Sequence, residues 1–115
     1  MYATLMTTKS LDAISARIEE IKEELLALNV LRPGSLTVQY RDPKNKARPF
    51  LSLSYTHCMK SKTEYVRPEW EGEVRAQIQR YKRFKKLVET WVTLGIEYSR
   101  LAMRLDLRPI KREKP

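Results

Sequence analysis

Three rhythms of apolar and polar residues follow one another along the chain. In the first, Leu11, Ile14, Ile18, Ile21, Leu25 and Leu28 recur at alternating spacings of three and four, with Arg17, Glu19, Glu20, Lys22, Glu23 and Glu24 off the seam. Such spacing predicts an amphipathic helix, because residues three and four apart share one helix face. Ser10 reads as its N-cap, with Asp12 in the first turn, and Asn29 as its end, before Pro33-Gly34 turns the chain. The seam covers fewer than three heptads, so packing within the domain is favoured over a coiled-coil strip for a partner.

The second rhythm has period two, the mark of half-buried strands. Leu36-Thr37-Val38-Gln39-Tyr40-Arg41 alternates, and so does Phe50 to Thr56, with Leu51, Leu53 and Tyr55 opposed to Ser52, Ser54 and Thr56. Between them Asp42 to Pro49 carries two prolines with Lys44, Lys46 and Arg48, and reads as a loop. Lys62 to Val66 reads as a third strand after a short connection. Short connections favour antiparallel neighbours. One face, rich in Leu and Tyr, should take the helices, leaving Thr37, Gln39, Arg41, Ser52, Ser54 and Thr56 to solvent.

The third rhythm runs from Arg67 to Arg108 and predicts one long helix. Pro68 suits a first turn, where its missing N–H has no partner to lose. Glu69, Glu71 and Glu73 complement the positive end of the helix dipole, and Pro109 marks the stop. Two apolar stripes share this helix. Val74, Ile78, Tyr81, Phe84 and Val88 form the early one, and Leu87, Trp91, Leu94, Tyr98, Leu101 and Leu105 the late one. At 100° per residue they lie on displaced faces, which predicts a change of partner along the helix. The early stripe is expected on the sheet. Trp91, Leu94, Tyr98 and Leu101 are expected at a dimer interface.

These elements predict an α+β fold: an N-terminal helix, a three-stranded antiparallel β-meander and a long C-terminal helix. Residues 1–9 read as a flexible N-terminus, 10–108 as a single domain and 109–115 as a basic tail. With 115 residues the chain suffices for one modest core.

Charge then changes the picture. Of 23 Lys and Arg, only Lys9, Arg17 and Lys22 precede residue 32, against five acids; the other 20 follow, against nine. Clustered positive charge is the electrostatic footprint of nucleic-acid binders. The cations expected to meet phosphates are Arg41, Lys44, Lys46 and Arg48 at the first loop, Lys60 and Lys62 at the second, and Arg75, Lys82, Arg83, Lys85 and Lys86 on the helix. Neutralising phosphates releases counterions, a sequence-independent source of affinity. The polar sheet face offers side chains able to read base edges. Helix–three strands–helix is also the order of double-stranded-RNA-binding domains. Here the basic block begins two to three turns into the second helix, which counts against that match.

Catalytic and metal chemistry find little support. His57 and Cys58 are single and adjacent, with no third orienting group for nucleophilic catalysis. Nor can they supply the four ligands of a structural zinc site. No cofactor, metal or enzymatic activity is expected. A lone cysteine fits a reducing compartment, and no apolar run reaches the ~18 residues of a membrane span. A cytoplasmic protein is expected.

Residues from about 14 to 90 resemble a small, uncharacterised bacterial domain family often encoded beside transposases. Ile18-Glu19-Glu20-Ile21, Leu25 and Leu28 carry the resemblance, as does Pro33-Gly34-Ser35-Leu36 with Tyr40, its most specific part. Ser54-Tyr55-Thr56, Lys62-Thr63, Tyr65-Val66 and Tyr81-Lys82-Arg83-Phe84 continue it. Many relatives hold a cysteine cluster after the first strand, where this chain has Asp42 to Arg48 and no cysteine. The resemblance implies a mobile-element setting. The expected function is non-catalytic nucleic-acid binding, of DNA before RNA, by a homodimer. The alternative is a small dimeric adaptor or inhibitor docking on an acidic protein.

Overall fold

A computed structural model describes residues 2–107, with side chains from Ser10 onward; the basic tail expected over 109–115 lies outside them. The architecture is α+β. It comprises α1 (Tyr2–Ala27), β1 (Ser35–Asp42), β2 (Ala47–His57), β3 (Lys60–Val66), a short 3-10 turn (Pro68–Trp70) and α2 (Glu71–Arg104). The three strands form one antiparallel sheet in the order β1-β2-β3.

Helix α1 begins at Tyr2, so Ser10 sits inside the helix and does not cap its start. The turn of Pro68 leads directly into α2, as its first-turn acids suggested. The end differs: α2 stops at Arg104 rather than Arg108. There Asp106 adopts φ 56°, Leu107 N–H donates to the Ala102 carbonyl at 2.8 Å, and Asp106 N–H donates to the Met103 carbonyl at 3.0 Å. This left-handed cap satisfies carbonyls that a helix end otherwise leaves open. It closes the helix before Pro109 can.

The chain forms two compact units. One joins α1 to the chain from Lys86 onward, and the other spans Leu28–Lys85. In the first unit the α1 seam is inward: Leu11 and Ile21 are buried, and Ile14, Ile18 and Leu25 are half-buried. Lys22 Nζ lies 5.7 Å from the Trp91 ring centre, while Leu11 shares a groove of ≈ 460 Å³ with Tyr98, Ala102 and Met103. The two helical segments therefore run antiparallel, and the late stripe of α2 has a partner within its own chain.

In the second unit the core is Leu53, Val66, Val74 and Ile78, flanked by Leu36, Leu51 and Tyr55. Val74 and Ile78 of the early stripe pack on the sheet face carrying Leu36, Leu51, Leu53 and Tyr55. A tether holds the entering chain on this face. The Arg32 guanidinium bonds the Glu64 carboxylate and lies 4.9 Å over the Tyr55 ring, and Tyr55 Oη donates to Glu64 at 2.8 Å. Arg32 N–H also donates to the Gln77 carbonyl at 3.2 Å.

The hydrogen bonds from Arg32 and then Tyr55 hold the Glu64 carboxyl below its usual range. A depressed carboxyl pKa contributes stability above the unfolded value, which is lost as pH falls through the folded one. Wild type should therefore lose more denaturant resistance than Glu64→Gln between neutral pH and the acid range. Urea midpoints falling in parallel for both proteins would contradict this.

Candidate nucleic-acid interface

The register decides where the basic residues stand. Tyr40 pairs with Pro49 and Asp42 with Ala47, which brings Arg41 and Arg48 to neighbouring strands at one end of the sheet, where the positive φ of Arg48 interrupts the ladder. Between the strands the turn closes by Lys46 N–H to the Pro43 carbonyl at 3.3 Å, and the Asn45 side-chain amide donates to Asp42 at 3.0 Å. Lys46 and Arg48 both hold positive φ, 50° and 59°, without being glycine. Left-handed backbone costs a non-glycine residue about 1–2 kcal/mol. Arg41, Lys44, Lys46 and Arg48 are exposed, and among the described residues none of them forms an ion pair.

The other predicted cations lie elsewhere. Lys60 and Lys62 flank the β2–β3 hairpin, which extends past β1 by the pairs Tyr55–Lys62, Thr56–Ser61 and His57–Lys60. Its two-residue turn puts Cys58 and Met59 at φ 52° and 65°, and both are exposed. Arg75 is paired with Glu71 at 2.8 Å. Lys82 is exposed beside Gly34 to Leu36, at the start of β1, and Lys85 Nζ lies 5.7 Å from the Tyr81 ring centre. Arg83 is engaged within the structure, and Lys86, also exposed, belongs to the first unit. The length of β1, about 25 Å at ~3.3 Å per residue, separates its loop end from its start. The eleven cations are thus several groups, of which the four at the loop end form the densest unpaired one.

The polar sheet face needs a correction. Thr37, Gln39, Arg41, Ser54 and Thr56 are exposed, but Ser52 is buried, at 4%. Ser52 pairs with Thr37 on one side and Tyr65 on the other, and Phe50 precedes it on the same face. The Phe50 and Tyr65 rings stand 6.4 Å apart, and the Arg41 guanidinium lies 5.1 Å over Phe50. Strand parity could have revealed both rings, since Phe50 shares the parity of Ser52 and Tyr65 that of Thr63.

Of the four residues expected at a dimer interface, Trp91, Leu94 and Leu101 are half-buried within one chain and Tyr98 is exposed. Val92, Ile96 and Met103 are more open, at 57%, 48% and 70%. Among the described residues no group of His, Cys, Asp and Glu is placed to hold a metal ion, and no helix is long and apolar enough to cross a membrane.

The fold and site together define an α+β helix–meander–helix chain with an open, cation-tipped sheet. Comparison adds no family to that description: no family model matches the chain, and neither does any curated protein or solved structure.

Proposed function

We propose that the Leu28–Lys85 unit binds nucleic acid without catalysing a reaction, holding phosphates at the β1–β2 end of its sheet. The observation that carries this reading is the cluster of four exposed cations, Arg41 and Arg48 on neighbouring strands with Lys44 and Lys46 in the turn between. Like charges held close together repel. Among the described residues none of them is ion-paired with a carboxylate, and the neighbouring Asp42 accepts from Asn45. A phosphate backbone supplies the missing anion, and arginine binds it in a fork. The mobile-element setting implied by the resemblance accords with a DNA partner but adds no residue to the site.

The test is a salt titration of Arg41→Glu/Arg48→Glu beside wild type on a random duplex. Losing two phosphate contacts should make the slope of log affinity against log salt shallower by about 1.8. Fold stability should fall by no more than about 1 kcal/mol, because one like-charge pair replaces another and only the exposed Arg41–Phe50 contact is lost. Equal slopes would remove this end of the sheet as the contact.

A second reading rests on Val92, Ile96 and Met103, which stand exposed on the α2 segment of the first unit. An exposed apolar stripe of that kind suits a protein partner. An adaptor on an acidic protein, or a second copy of this chain, would use it. Binding to one purified protein that survives nuclease and high salt would favour this reading.

A further inference from the structure

We infer that the open sheet face selects single-stranded nucleic acid by stacking unpaired bases on aromatic rings; this rests on the nucleic-acid reading above. Tyr65 is 58% exposed and Trp70 51% exposed, although large aromatic side chains ordinarily bury most of their surface. Both line one groove of ≈ 380 Å³ at the β3 edge of the sheet, together with Arg67 and the paired Arg32 and Glu64. Phe50 stands next to Tyr65 on the adjacent strand, with the planar guanidinium of Arg41 over its ring. Phe50 and Tyr65 thus stand side by side on the open face with Arg41 at the loop end, and Trp70 and Arg67 follow at the β3 edge.

Adjacent rings flanked by cations are what a single strand requires. Its bases expose their faces, which stack on aromatic rings and on arginine planes, while its phosphates take the cations. A duplex keeps its bases stacked on each other and would use the cations alone. The charge complementarity of Arg41, Lys44, Lys46 and Arg48 to a phosphate chain fixes the occupant as a polyanion. The rings beside them make it one with free bases. An acidic peptide would satisfy the charges and leave Tyr65 and Trp70 without a planar partner.

The test compares an oligo(dT) of about twelve nucleotides, within the range of a single binding module, with a duplex of the same length. Proteins are wild type, Tyr65→Leu and Tyr65→Phe. Wild type should bind oligo(dT) more tightly than duplex. Tyr65→Leu should weaken oligo(dT) binding on the order of tenfold and leave duplex binding unchanged, while Tyr65→Phe retains wild-type affinity. Since Tyr65 is exposed, circular dichroism should show all three folded alike. Tighter duplex binding, or oligo(dT) binding indifferent to Tyr65→Leu, would overturn the stacking inference and leave the phosphate reading standing. Wild type that binds neither strand form at low salt overturns both, and polyglutamate displacing oligo(dT) at equal charge would turn the site over to an acidic peptide.

Discussion

Gly34→Ala is expected to destabilise the chain by about 2–4 kcal/mol, a loss out of proportion to one methyl group. Gly34 holds φ +127°, where L side chains are strained whatever the space. Space is also lacking. An added Cβ would stand 2.7 Å from the Ser54 carbonyl oxygen and 2.9 Å from a Leu53 methyl. The carbonyl belongs to the backbone of β2, so it cannot yield without disturbing the Ser35–Ser54 pair that opens the ladder. The urea midpoint should fall at unchanged slope. A wild-type midpoint would show that the chain enters β1 by another path.

Leu53→Ala should cost about 2–5 kcal/mol, the range for emptying a buried leucine site. Leu53 is fully buried on the central strand, and Val66, Val74 and Ile78 surround it. These neighbours come from β3 and α2, which meet on Leu53 from two elements. Small domains hold only about 5–15 kcal/mol in all, so much of the stability would go. Thermal and urea unfolding should both shift. Leu51→Ala, at a half-buried position beside the same core, should cost less. Equal losses at the two positions would mean that the core is not centred on Leu53.

The order of elements was legible because each kept its own period over enough residues to be told apart. Leu36 to Arg41 and Phe50 to Thr56 alternate, and Val74 to Val88 advances by threes and fours. Two stripes displaced on one helix also announced two partners. They could not identify the second, because an apolar stripe looks the same whether α1 or another chain covers it. Ser10 misled for a local reason: residues that cap helices also occur inside them, and α1 runs on to Tyr2. The neighbouring placement of Arg41 and Arg48 was hidden for another reason. Register depends on how many residues the turn absorbs, and here Lys46 and Arg48 adopt backbone angles that no residue type in the loop advertises. Likewise the tether of Arg32, Glu64 and Tyr55 joins residues 32 positions apart in part, and no spacing rule connects them.

Amide chemical shifts of labelled protein, followed by NMR as oligo(dT) is added at low salt, test the central claim most directly. The loop end of the sheet should respond, at Arg41, Lys44, Lys46, Arg48, Phe50 and Tyr65. The amides of Val92, Ile96 and Met103 should keep their positions. Shifts confined to that α2 stripe, or a spectrum unchanged at saturating oligonucleotide, would contradict the account.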